Sequence, residues 1–292
     1  MGINLHAFKF LHKISKTRKF GNTLTLGRLK VYFDKIAVDE ILNKNKILNN
    51  DISDDTYIDN YLIHLFGSDK VDVLDANNYE NANIIHNLNY DVPEELKDKY
   101  DLIIDGGSLE HVFDIKTALT NLKKMCKVNG TIIHISPANN FCGHGFYQFS
   151  PNLFGSFYRE SQGFRDTNII LCKMFDSSVW CKIKRENFNN NKRINIISDE
   201  ETMVLVSSTK IENINNPKTI QQSDYSENFY KQKKLKTNQE SIKEKSLFKK
   251  KIKKVFYKFH LIRKIYNLIR KYFEYKNNKL DKKNKDLDII KV

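Results

Sequence analysis

Short apolar runs separated by amphipathic stretches constrain this chain more than any other feature. Residues 23–27 (TLTLG), 71–75 (VDVLD), 83–88 (NIIHNL), 101–105 (DLIID) and 131–136 (TIIHIS) read as strands. Each is a brief aliphatic or β-branched run closed by turn-forming residues. Residues 34–48 and 54–66 carry apolar side chains at three-to-four spacing behind an acidic start, and 113–127 carries a third such stretch. That period predicts helices, the last one stopped by Asn129-Gly130. Strands alternating with helices build parallel βαβ units with right-handed crossovers. The prediction is an α/β, doubly wound, mostly parallel sheet. Two later runs, 168–175 and 202–208, flank an Asn-rich stretch at 187–191 and are expected to pair antiparallel at one edge.

Charge divides the chain. Its 49 Lys/Arg and 35 Asp/Glu give a formal net charge of +14. From Lys231 onward there are 22 basic and 6 acidic residues, a net of +16, which leaves −2 on the first 230. The body is thus near neutral and the tail strongly basic. A 40% hydrophobic share, with 19 Phe and 14 Tyr, is enough for a real core and excludes disorder throughout. No apolar run reaches the length of a membrane span, and the first 20 residues lack a signal-peptide apolar region. The four cysteines show no paired spacing and read as reduced thiols of a cytoplasmic protein. The expected organisation is a body over 1–210, a polar linker over 211–240 and a basic helical tail over 241–292.

In a doubly wound sheet, ligands bind beyond the carboxyl ends of the strands. Polar residues and glycines cluster there: Gly27-Arg28, Asp75-Ala76, residues 87–89, 105–110 and 136–145. The segments VDVLDANNYENANIIHNLN, YDLIIDGGSLEHVFD, NGTIIHISPANN and GHGFYQFSP resemble class I S-adenosylmethionine-dependent methyltransferases. More narrowly, they are similar to bacterial methyltransferase-like proteins with a GG-[ST]-LEHVF … NNF-x-GHGFYQFSP signature. The resemblance runs over residues 23–209 and is strongest over 71–151. It implies a Rossmann-like sheet of seven strands with the last one antiparallel, and S-adenosylmethionine and acceptor on the carboxyl edge.

Carried onto this sequence, the resemblance makes Asp75 the carboxylate for the ribose hydroxyls; a turn cap is its structural alternative. Asn87 would read adenine through its amide oxygen, or else shape a turn. Gly106 and Gly107 would let the backbone approach the ligand, and Glu110 would line the cofactor's methionine end or sit in a first helical turn. Only Gly27 follows the first strand, where the family has several glycines, and Asp75 lies 48 positions beyond it rather than about 20. Arg28 is the candidate to fork onto the cofactor carboxylate, with a surface cation as the alternative.

Residues 136–151 are expected to face the acceptor. Gly143 and Gly145 flank His144, and Phe146, Tyr147, Phe149, Asn139, Asn140 and Gln148 mix aromatic and amide surface. That mixture suits a small-molecule or glycan-type acceptor, or simply an Ω-loop that caps the core. An acceptor hydroxyl must lose a proton, so His144 is the first candidate base, His111 the second, and Tyr147 an orienting hydroxyl. His144 has no companions at metal-ligand spacing, so no metal is predicted. In the tail, residues 247–273 set Phe, Ile and Tyr in a helical stripe among Lys and Arg. That pattern predicts an anionic membrane surface as partner, with peripheral attachment at the inner face. Nucleic acid and a docking surface are the alternatives. Two further readings compete with a methyltransferase of small acceptors: a catalytically silent binding module, and an RNA methyltransferase whose footprint is the basic tail.

Overall fold

The computed structural model describes residues 2–44, 46, 56–176, 178–189, 194–214, 219–222, 260–281 and 284–292. The chain divides into two compact units. The first, the body, comprises Met1–Ile183, Glu200–Ile220 and Ile289–Val292; the second comprises Lys184–Asp199 and Gln221–Asp288.

The body is built on one sheet. Its strands in chain order are β2 (Gly21–Leu26), β4 (Ser68–Asp75), β5 (Ile84–Ile85), β6 (Tyr100–Asp105), β7 (Cys126–Asn139), β8 (Phe164–Lys173), β9 (Val179–Ile183), β10 (Thr202–Lys210) and β11 (Leu287–Lys291). A separate two-residue ladder pairs β1 (Gly2–Ile3) in parallel with β3 (Lys30–Val31). The order across the sheet is β11-β9-β8-β10-β7-β6-β2-β4-β5. Strands β5, β4, β2, β6 and β7 are mutually parallel, while β10 runs antiparallel to both β7 and β8. Seven strands, β5 to β8 in that order, therefore form a doubly wound sheet in which β10 alone is reversed.

Two strands lie outside that set, so the described sheet has nine strands rather than seven. The late pair, β8 and β10, is antiparallel as expected, but β10 is interior and the edge passes to β9 and β11. One of them, β11, lies beyond residues 23–209, over which the resemblance runs.

Both faces are covered, which is why the central strands read as continuous apolar runs rather than alternating ones. Leu102 and Ile104 of β6, Ile133 and Ile135 of β7 and Leu205 of β10 point into one cluster with Phe8, Phe20, Tyr61 and Phe66. Their neighbours Ile103, Ile132, Val204 and Val206 point the other way and are equally buried. The helices α1 (Leu5–Ser15), α2 (Asp39–Lys44), α3 (Asp59–His64), α4 (Ile115–Met125) and α5 (Pro151–Phe157) complete the layers.

The stretch expected as a helix over 34–48 is a 3-10 turn, Lys35–Val38, followed by α2; residues 45 and 47–50 lie outside those described. The one expected over 54–66 is confined to α3. Helix α1, which the expected elements do not include, sets Ala7, Phe10, Leu11 and Ile14 at helical spacing, and Asn4 caps it by accepting from Ala7 N–H at 3.0 Å.

In the second unit, a helix spans His260–Asn278. Ile265, Tyr266, Ile269, Tyr272 and Phe273 of the expected stripe are exposed on it; residues 247–259 lie outside those described. Among the described residues, no helix is long and apolar enough to cross a membrane.

One buried imidazole ties α1 to the far strands. His6 Nδ1 accepts from Trp180 Nε1–H at 3.0 Å, so its Nε2 carries the proton that reaches the Lys173 carbonyl at 2.9 Å. Burial lowers the His6 pKa, opposed by the Lys173 hydrogen bond. A histidine held neutral contributes stability that is full above its unfolded pKa and is lost as pH falls through that value toward the folded one. The melting temperature should therefore fall as pH drops from 7.5 through about 6.5. His6→Leu should lower stability at pH 7.5 and flatten that slope, as thermal melts across this range would show. A melting temperature that rises on acidification, or a slope unchanged in the variant, would contradict the assignment.

Candidate active site

The topological switch lies between β2 and β6, where the sheet winds outward in opposite directions and a crevice opens at the carboxyl ends. On the β2 side the chain leaves Leu26 through Gly27, whose φ of +70° favours glycine. Gly27 N–H donates to the Leu74 carbonyl at 2.7 Å, which holds this turn against β4.

On the β6 side the controlling group is Asp105, which is fully buried. Its Oδ1 accepts from the N–H groups of Ser108 (2.9 Å) and Leu109 (3.3 Å). Its Oδ2 accepts from His134 Nδ1 at 2.9 Å and Ser136 Oγ at 3.4 Å. His134 Nε2 then faces the Tyr158 hydroxyl at 2.6 Å, so Tyr158 donates to the remaining ring nitrogen. Ser108 Oγ donates to the Leu26 carbonyl at 2.5 Å, and Gly107 turns at a φ of +90°. The turn Leu109–His111 is thereby fixed to β2, β6 and β7 together.

That turn presents Glu110 and His111. Glu110 is buried, and its carbonyl accepts from Phe146 N–H (2.8 Å) and Tyr147 N–H (3.2 Å) of the loop after β7. Gly145 makes this approach possible, since a Cβ there would lie 2.8 Å from the Glu110 carbonyl oxygen. The stapled loop brings half-exposed His144 to the same place, with Nε2 at 3.6 Å from Glu110 Oε1. The His111 and His144 rings lie 5.3 Å apart between centroids. Glu110 Oε2 is buried without a hydrogen-bond partner. Burial, and then the Asp105 charge, push the Glu110 carboxyl up to about 8. Burial, and then neighbouring His144, lower the His111 pKa.

This grouping corrects the expectation that His144 lacks companions. One ligand atom from each of Glu110, His111 and His144 lies within 4.8 Å of the others. The two segments are far apart in sequence; the backbone bonds to the Glu110 carbonyl, together with the Tyr147 hydroxyl on the Phe113 carbonyl, bring them together. Sequence spacing carries no trace of it.

The other expected residues behave differently. Asp75 stands at the end of β4; its Oδ1 accepts from its neighbour Ala76 N–H at 2.6 Å, so one oxygen serves the turn. Asn87 Oδ1 accepts from Asn89 N–H (3.0 Å) and Nδ2 (2.8 Å), which is the turn-shaping role rather than adenine recognition. Gly106 makes room for the protein's own Leu29, whose Cδ2 would be 2.7 Å from an added Cβ. Arg28 does not point a free fork at a carboxylate: its guanidinium stacks 4.3 Å from the Tyr57 ring centre, with Nε 3.8 Å from Asp59 Oδ1. Tyr147 donates its hydroxyl to the Phe113 carbonyl at 2.6 Å, so it staples the loop instead of orienting an acceptor. Phe113 and Phe146, both exposed, meet edge-on at 5.6 Å beside the cluster. Sequence reading missed Asp105, His134 and Tyr158 as the support of this site. A polar pair closing or interrupting apolar strands (DLIID, TIIHIS) was the available signal.

No family model matches the chain, and no curated protein matches it. Among solved structures, it is similar to the N-methyltransferase NodS from Bradyrhizobium japonicum WM9 in complex with S-adenosyl-L-homocysteine. The identity is 12% and the TM-score 0.39, over 72% of this chain and 89% of that one. It is also similar to the YcgJ protein of Bacillus subtilis, at 10% identity and a TM-score of 0.39 over 70% of this chain and all (100%) of that one. A third likeness is to the 1,6-didemethyltoxoflavin-N1-methyltransferase of Burkholderia thailandensis with its substrate and S-adenosylhomocysteine bound. Here the identity is 10% and the TM-score 0.38, over 70% and 76% of the two chains. The chemistry of this chain therefore rests on its own residues.

Asp105 should be the residue whose loss most damages this edge. Asp105→Ala leaves the buried donors of Ser108, Leu109, His134 and Ser136 without their acceptor, at a cost of about 3–5 kcal/mol. Urea unfolding would measure it; a loss below about 1 kcal/mol would show that the donors find other partners.

Proposed function

We propose that this chain transfers a methyl group from S-adenosylmethionine to a hydroxyl of a small-molecule or glycan-type acceptor. The observation that carries this reading is the strand order β5-β4-β2-β6-β7-β10-β8 with β10 alone reversed. It is the arrangement that the family resemblance implies, and it puts Gly27, Asp75 and Gly107 on one edge. When bound, S-adenosylmethionine supplies an electrophilic methyl group on a sulfonium.

The residues present fit the cofactor in part. Asp75 keeps one carboxylate oxygen for a ribose hydroxyl, and the Gly27 turn exposes backbone beside it. Asn87 has spent its amide oxygen on Asn89, so adenine recognition falls to other groups. The acceptor enters over the loop after β7, where Phe113 and Phe146 offer exposed ring surface. His144 and His111 border that surface and receive or conduct the hydroxyl proton. Alignment of acceptor and methyl donor supplies most of the acceleration, and the proton step adds to it.

Calorimetric titration of the full chain with S-adenosylmethionine or S-adenosylhomocysteine tests the reading. Binding should be saturable, and Asp75→Ala should weaken it by about 1–3 kcal/mol, the range for hydrogen bonds to a charged group. No binding at millimolar cofactor would leave a silent module with a methyltransferase-like sheet.

A further inference from the structure

We propose that Glu110, His111 and His144 together hold a divalent transition-metal ion. Two imidazoles and one carboxylate are a donor set that suits zinc, iron(II), cobalt or manganese, and three protein ligands leave coordination positions open. Two observations point here rather than to a solvated patch. First, the three ligand atoms already lie within 4.8 Å of one another. Metal–ligand bonds of about 2.0–2.2 Å place ligand atoms roughly 3.4 Å apart in a tetrahedral site. Closure thus needs a shift of about 1 Å, within reach of the two exposed imidazoles.

Second, Glu110 is 1% exposed and its Oε2 has no hydrogen-bond partner. A buried carboxylate without a donor is costly, and a cation removes that cost. Its backbone cannot retreat, because the Glu110 carbonyl is pinned by Phe146 and Tyr147. The ligands thus come from two loops held in fixed relation, which is how a protein imposes a coordination geometry.

Through the methyl-transfer reading, on which this consequence rests, the ion acts on the acceptor. An acceptor hydroxyl bound at an open position loses its proton to water more readily. The oxygen lone pair then forms the new C–O bond while the C–S bond breaks, its electron pair staying on sulfur. The ion is neither oxidised nor reduced. This assignment moves Glu110 from the methionine end of the cofactor to the acceptor side, and with the ion bound the ligating nitrogens of His111 and His144 no longer take the acceptor's proton, which passes to water.

The experiment uses the full chain, stripped with a chelator and titrated with Zn²⁺ by calorimetry and with Co²⁺ by visible absorption. One ion per chain should bind. Affinity should fall by about 10-fold or more in His144→Ala and in Glu110→Gln, since even outer-shell losses reach that size. His64→Ala, an exposed histidine elsewhere, should bind as the wild type does. Because Glu110 is buried, circular dichroism checks that variant's fold, and exposed His144 keeps the test decisive if it fails to fold. No ion bound, or equal binding in wild type and His144→Ala, overturns the site. Cofactor affinity is measured separately with the chelator present. If the metal binds and the cofactor does not, the methyl-transfer reading fails alone; if the cofactor binds and the metal does not, the metal site fails alone. A Glu110→Gln variant that loses cofactor affinity and keeps the metal returns Glu110 to the cofactor and overturns its ligand role.

Discussion

The Asp105 carboxylate is the constraint on which the rest of this edge depends. A fully buried acid is tolerated only when its oxygens are satisfied, and here four donors from two segments converge on it. Two are backbone N–H groups of the turn after β6, and two are side chains of β7. Through His134 the network continues to Tyr158, just past α5. Because every member is paired, the network resists local rearrangement, and the turn that carries Glu110 inherits that rigidity. Loop mobility at His144 is limited in turn by the backbone bonds to Glu110. Precise placement of chemistry on two loops thus traces back to one carboxylate beneath them.

Burial sets the electrostatics above it. Glu110 lies close to the Asp105 charge and out of water, so its carboxyl is pushed up to about 8. At neutral pH, without a counter-charge, the protonated form dominates. A cation nearby reverses that preference. The site therefore couples what binds to the protonation of one acid.

The fold was legible where physics is local. The strands DLIID and TIIHIS were read from composition and turn signals because strands covered on both faces need aliphatic residues at every position. The edge was harder. Strand β9 (SVWCKI in its neighbourhood) mixes Lys with apolar residues and lies outward of β8, between it and β11, so its sequence lacks the continuous run. Helix α1 was open to the same reading, since Ala7, Phe10, Leu11 and Ile14 follow the helical period and pack on the core.

At the site, the positions were legible but several roles were not. Glycine at 106 does signal a close approach, yet the partner is Leu29, and sequence cannot tell a ligand from the chain's own side chain. Asn87 and Tyr147 carry groups that suit a ligand, and local hydrogen bonds consume those groups. The Glu110, His111 and His144 cluster was invisible because tertiary hydrogen bonds create it. Hydrogen exchange of the full chain with and without S-adenosylhomocysteine tests the central claim, that the carboxyl edge of β2, β4 and β6 is the ligand site. Exchange should slow at the amides following Gly27, Asp75 and Gly107. Protection confined to other segments, or none at saturating ligand, would contradict it.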